Sequence, residues 1–291
     1  MHNNNKHKDG YNFEELIIDS PILAKYVIKN EYNNLSIDFS DYESVYNLNK
    51  ALLKKYYGIL NWEIPNQALC PPIPSRVEYI HIVNDLIKKI PNKKQAIFGL
   101  DIGVGTNCIF PILGSTIYDW HFKGSDTDET AVFYANKNIS QSKKLTDHIT
   151  ITHQVDRGQI FKDIINQDEY YYFTVCNPPF FKSETDALKA SVRKWKNLDR
   201  KDNLKNLNFG GSANELWCNG GELLFIKRMI KESVLYQNQV YWFTSLVSQK
   251  ANLKPLYKIL NKFKAKNITI PLNIGNKKSR ILAWTFQESN E

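Results

Sequence analysis

The chain has 291 residues, 42% of them hydrophobic, with 16 Tyr, 15 Phe and a formal charge of +8, which describes a folded globular protein able to bury a sizeable core. No apolar run approaches the roughly 18 residues of a membrane span, and Met1 to Gly10 lack the apolar segment of a secretory signal. The cysteines Cys70, Cys108, Cys176 and Cys218 form no CxxC pair, which argues against a zinc site or a disulfide scaffold and for a reduced, cytoplasmic protein.

In chain order, residues 1–12 read as disordered. A helical pattern starts at Asn12 with Phe13, Leu16 and Ile17, and a second candidate helix covers Ile22 to Lys29. Leu48 to Tyr57 repeats Leu48, Leu52, Leu53 and Tyr56 on one face,. Cys70 to Pro74 reads as a rigid extended linker, because its prolines fix φ and remove donors. Ser75 then caps a helix from Arg76 to Ile90. This divides the chain into an N-terminal helical extension with its linker, 1–74, and a main domain, 75–291. From Gln95 the pattern alternates. Strands are predicted at Ala96–Ile102, Phe122–Asp126, His148–Gln154, Tyr170–Cys176, Val240–Val247, Lys266–Ile270 and Arg280–Phe286. Helices are predicted at Thr130–Gln141, Glu222–Gln237 and Asn252–Phe263. Such alternation implies an α/β fold with a seven-stranded, mostly parallel sheet, helices on both faces, and a hairpin-like reversal at the end.

Three strand ends carry the candidate chemistry. After the first comes Leu100-Asp101-Ile102-Gly103-Val104-Gly105-Thr106-Asn107. Its glycines let the backbone turn sharply and approach a ligand, while Cys108 departs from the GxGxxG dinucleotide fingerprint. Asp101 precedes the glycines, where a carboxylate would repel a pyrophosphate but attract an ammonium group. Asp126 ends the second strand, where an acid accepts from ribose hydroxyls. This pattern suits S-adenosyl-L-methionine better than a nicotinamide dinucleotide. It makes Asp101, Gly103, Gly105, Asn107 and Asp126 the candidate cofactor residues.

The third site, Asn177-Pro178-Pro179-Phe180, leaves the fourth strand. Two successive prolines can neither feed a ladder nor begin a helix there, so an amide, a fixed carbonyl and an aromatic ring are presented together. Two acceptors beside a ring fit a flat molecule with an exocyclic amine, such as adenine. Asn177 and the Pro178 carbonyl would accept the amine hydrogens and orient the nitrogen, a catalysis of positioning rather than of strong base. Phe180 would stack on an unpaired or flipped base. The order and spacing of the three sites are those of a class I (Rossmann-like) methyltransferase. Neither a metal-ligand cluster nor Ser-His-Asp logic is present.

Positive charge is concentrated late in the chain. Residues 182–232 carry 11 Lys/Arg against 7 Asp/Glu, residues 233–291 carry 9 against 2, and no acid lies between Ser233 and Gln287. That asymmetry suits a polyanion. The insertion 182–210 is too long for an ordinary connection. Within it Arg193, Lys194, Lys196, Arg200 and Lys201 can track phosphates around a stacking Trp195. The same segment also reads as a helix whose Trp195 packs on the core.

Further stretches extend the pattern: Asn61-Trp62 with Ile64-Pro65, Leu69-Cys70-Pro71-Pro72-Ile73-Pro74 with Arg76, Asn208-Phe209-Gly210-Gly211, Glu215-Leu216-Trp217-Cys218 and Trp242-Phe243-Thr244-Ser245. Together with the cofactor loop and the Asn-Pro-Pro-Phe motif, they resemble the bacterial 23S rRNA (adenine(1618)-N6)-methyltransferase family, to which the methyltransferase-like 16 family is related. The resemblance runs from about residue 6 to the C-terminus. It implies methylation of one adenine in 23S rRNA, free or in a large-subunit assembly intermediate, by a monomer using S-adenosyl-L-methionine and no metal. It further implies that Arg76 reaches the cofactor, with Gly103, Gly105 and Asp126 binding it, and that Asn177 to Phe180 hold the adenine. Asp126 is shorter than the glutamate usual in the family. A protein-glutamine methyltransferase and a non-catalytic rRNA-binding assembly factor are the competing readings. The acid-free final third disfavours the former, and the intact cofactor loop the latter.

Overall fold

A computed structural model describes residues 1–66, 68–91, 93, 95–180, 220–275 and 277–287. Its centre is a seven-stranded sheet. The strands are β3 (Phe98–Ile102), β4 (His121–Asp126), β5 (Ile149–His153), β6 (Tyr171–Cys176), β7 (Val240–Val247), β8 (Lys266–Ile274) and β9 (Lys277–Thr285). They lie in the order β5-β4-β3-β6-β7-β9-β8. The first five are mutually parallel, and β9 runs antiparallel to both β7 and β8. The fold expected from the alternation is therefore present. The strand order reverses between β3 and β6, so a crevice opens at their carboxyl ends, where open α/β sheets take ligands.

Helices cover both faces. On one face lie α1 (Phe13–Asp19), α2 (Tyr42–Tyr57), α3 (Ile73–Lys88), α4 (Ile109–Tyr118), α5 (Glu129–Ile139) and the short α6 (Lys143–His148), whose apolar residues form one continuous core. Within it Leu52, Ile73, Val77 and Ile80 are fully buried, and truncating such a leucine to alanine costs about 2–5 kcal/mol. On the other face α7 (Gly221–Ser233) and α8 (Leu253–Lys262) enclose a second core around Phe161, Phe243 and Trp284.

Several expectations are corrected. Residues 1–12 are packed: Asn5 and His7 are buried, and Asn5 Nδ2 donates to Glu78 Oε2 (2.7 Å) and to the Pro74 carbonyl (3.1 Å). The helix expected over Ile22–Lys29 is a 3-10 turn, Pro21–Lys25, followed by β1 (Val27–Lys29), which pairs with β2 (Leu35–Ile37). Ser75 is no cap. α3 starts at Ile73 behind Pro72, because Pro74 falls in the first turn, where its missing N–H costs nothing,. α4 was not expected; Ile109 to Ser115 are all buried, so its sequence shows no alternation of apolar and polar faces,. β8 continues through Pro271 to Ile274, which an edge strand tolerates,.

Candidate functional site

The loop after β3 is shaped by its glycines: Gly103 (φ +74°) and Gly105 (φ +63°) adopt left-handed backbone, which side chains disfavour. Gly103 N and Val104 N both donate to the Ser125 carbonyl at 2.9 Å, and Gly105 N donates to Asp126 Oδ2 at 2.9 Å. The other Asp126 oxygen accepts from Asp128 N at 3.0 Å. Asp126 thus stitches the loop to the end of β4, a structural task that its sequence position did not announce. The rest of the loop is braced from outside. Trp62 Nε1 donates to the Asn107 carbonyl at 2.8 Å, Asn138 Nδ2 donates to the Thr106 carbonyl at 3.1 Å, and Asn107 Oδ1 accepts from Ile109 N at 3.1 Å as α4 begins.

Arg76 projects from α3 with its guanidinium 5.3 Å from the Phe110 ring centroid. It is buried and joins none of the ion pairs among the described residues. Burial lowers its pKa to about 10, opposed by the charge of Asp101. Asp101 is 1% exposed and its Oδ1 has no hydrogen-bond partner. Burial first, then the neighbouring Asp126, push its carboxyl well above the usual range, and Arg76 pulls it back.

At the end of β6, Asn177 is half-buried, yet its Oδ1 is fully enclosed and accepts no hydrogen bond. An unpaired buried amide oxygen costs about 1–3 kcal/mol, so a donor brought to it is strongly favoured. The strand end beneath is fixed by a buried network. The Tyr79 hydroxyl meets Thr244 Oγ1 at 2.8 Å, and Thr244 N donates to Thr174 Oγ1 at 3.1 Å. Cys176 N approaches the same tyrosine oxygen at 3.5 Å. Because Tyr79 lies one turn after Arg76 on α3, one helix steadies both halves of the site.

These parts surround one cleft of about 510 Å³. It brings together Arg76, Gly103, Gly105, Asn107, Asp126, Asn177 and Pro179; Asp101, Pro178 and Phe180 are not on its wall. It also recruits residues that the sequence reading missed: Gln154, Arg157, Gly158, Gln159 and Ile160 after β5, and Phe225 and Arg228 on α7. The Glu232 carboxylate gathers the amides of Ile160, Phe161 and Lys162 at 2.7–3.1 Å and fixes that loop. The loop has no motif, and its only signal was its place at a strand's carboxyl end. Arg193, Lys194, Trp195, Lys196, Arg200 and Lys201 lie outside the described residues. Among the described residues no group of three His, Cys, Asp or Glu could hold a metal, and no helix is long and apolar enough to cross a membrane.

The sequence matches the RNA methyltransferase family over residues 1–288. The ribosomal RNA large subunit methyltransferase F of Christiangramia forsetii is 54% identical over 286 residues, covering 98% of this chain and all of that protein. The enzyme of the same name from Colwellia psychrerythraea is 47% identical, with full coverage of both chains. Among solved structures, the hMettl16 catalytic domain in complex with MAT2A 3'UTR hairpin 1 superposes with a TM-score of 0.84 at 30% identity, over 99% of this chain and 96% of that one. The N-terminal domain of human METTL16 in complex with SAH gives 0.80 at 29% identity, over 99% of each chain. The seven-stranded sheet is thus that of a class I methyltransferase, and the chain belongs to the RNA methyltransferase family, among the ribosomal RNA large subunit methyltransferases F.

Proposed function

We propose that this enzyme transfers a methyl group from S-adenosyl-L-methionine to N6 of one adenine in 23S rRNA, adenine 1618 by its family resemblance. The observation that carries this reading is the enclosed, unpaired Oδ1 of Asn177 at the carboxyl end of β6. It is an acceptor lacking a donor, and an exocyclic amine supplies one. The relatives' name, and the neighbour crystallised with SAH, support the same substrate and cofactor.

The cleft fits the cofactor. Arg76, with no carboxylate partner among the described residues, would take the amino acid carboxylate, and the Gly103–Gly105 turn leaves backbone open to close approach. Asp126 carries two backbone donors and keeps lone pairs for ribose hydroxyls,. When bound, S-adenosyl-L-methionine supplies an electrophilic methyl on a positively charged sulfonium.

Everything else is the work of this chain's residues. The adenine nitrogen is a weak nucleophile because its lone pair is delocalised into the ring. Asn177 Oδ1 and the Pro178 carbonyl accept its two hydrogens, favour a pyramidal nitrogen and fix its direction. Phe180 stacks on the base after it has left its helix. The proton lost from the methylated nitrogen passes to water, since none of these residues is a strong base. Residues 1–74 feed the catalytic domain 75–291, and the basic insertion 182–210 tracks phosphates. The working enzyme is a cytoplasmic monomer whose substrate is rRNA or a large-subunit assembly intermediate.

Tritiated-methyl transfer to ribosomal RNA from a strain lacking this gene tests the reading. Label recovered as N6-methyladenosine supports it. Label in protein glutamine, or none in RNA, overturns it.

A further inference from the structure

The N-terminal module has a face unlike the rest of the molecule. Six of the large hydrophobic side chains exposed among the described residues lie between Ile18 and Phe39, including Ile18 (78% exposed), Ile22 (51%), Ile28 (50%) and Tyr32 (74%). Their buried neighbours Leu16, Leu23 and Ile37 already satisfy the core, so these side chains are left over from folding. In the β1–β2 hairpin Ile28 pairs across to Ser36, on the face opposite to Val27 and the buried Ile37,. Exposed apolar residues scattered singly need no explanation, whereas a concentration within one module does.

Charge selects the occupant. Between Phe13 and Glu43 stand seven carboxylates and two lysines, in a chain whose formal charge is +8. Lys55 of α2 pairs with Glu15 and Asp19 at 2.9 Å. Glu14, Glu31 and Glu43 are exposed and join none of the ion pairs among the described residues. Such a rim repels phosphates and attracts Lys and Arg.

We infer that this acidic, apolar face docks a basic protein surface of the large-subunit particle, with Ile18, Ile22, Ile28 and Tyr32 as anchors and Glu14 and Glu31 as charge partners. The inference rests on the rRNA reading above and assigns the two ends of the chain to different partners, protein at the acidic end and RNA at the acid-free end.

Co-sedimentation of the full chain needs no turnover and so tests docking apart from methyl transfer. The probes are large-subunit particles from a strain lacking this gene and protein-free 23S rRNA. Ile28→Ser with Tyr32→Ser is expected to weaken particle binding about tenfold and to leave binding to free rRNA unchanged. Glu14→Lys with Glu31→Lys separates the partners by sign: it should weaken particle binding if the face meets a basic protein and strengthen both if it meets RNA. Equal losses on both probes, or stronger particle binding by the charge-reversed variant, would overturn the inference. A chain that binds particles as described but transfers no methyl would overturn only the functional reading.

Discussion

The two walls of the cleft are built on opposite principles. On the cofactor wall Gly103, Val104, Gly105 and Asp128 already spend their amides on Ser125 and Asp126, and Trp62 and Asn138 tie down the carbonyls of the loop. On the target wall Asn177 presents an enclosed oxygen with nothing to accept, held over a buried Tyr79–Thr244–Thr174 network. The first wall is a shape that exists before any ligand arrives. The second stores an unmade hydrogen bond, so ligand binding there recovers a desolvation cost that the fold has already incurred. Arg76 belongs to the second kind although it faces the first wall, because its charge is buried without a carboxylate within ion-pair range among the described residues.

That contrast predicts a ranking of effects. Asn177→Ala should lower methyl transfer about 100-fold or more while cofactor Kd, measured calorimetrically, stays within about twofold. A large loss of cofactor affinity would remove the distinction between the walls. Arg76→Met should raise cofactor Kd roughly 10- to 100-fold, the scale of a lost hydrogen bond to a charged group. An unchanged Kd would show that the guanidinium has another partner.

Asp126→Ala should raise cofactor Kd about tenfold and also lower Tm, since the Gly105 and Asp128 amides lose their acceptor, at about 1–3 kcal/mol for each one left unsatisfied. If Kd rises with no change in Tm, the carboxylate serves the ligand alone and the cofactor wall is not self-supporting.

The smallest effect concerns pH. Asp101 titrates near 3.8 in an unfolded chain and well above that when buried. The folded state therefore binds the proton more tightly, so this group's stabilisation is full below 3.8 and is lost as pH rises through the folded value. Asp101→Asn should consequently gain about 2–4 °C in Tm over the parent at pH 8, with the gain shrinking toward pH 4. A gain independent of pH would mean that the carboxyl is not the titrating cost.

Much of the site was legible because its signals are local. A glycine pair after an apolar strand, an acid at the next strand end and two prolines after a third are each fixed by backbone requirements of a few consecutive residues. The failures were equally physical. α4 carries no amphipathic pattern because Ile109 to Ser115 are buried. The loop from Gln154 to Ile160 owes its form to Glu232, some 70 residues away in sequence.

The sequence by itself determined the α/β alternation, the three strand-end motifs and the asymmetry of charge, since each depends on residue type and short spacing. Tertiary structure alone decided which polar groups are paired. It spent both Asp126 oxygens on the backbone and left Asn177 Oδ1 and Arg76 open. It also buried the polar segment 1–12 by joining Asn5 to Glu78, and the His7 ring to the Tyr57 hydroxyl at 2.8 Å. A polar side chain shows in its own sequence neither its burial nor its partner. Both are set by whatever the fold brings within about 3 Å of it.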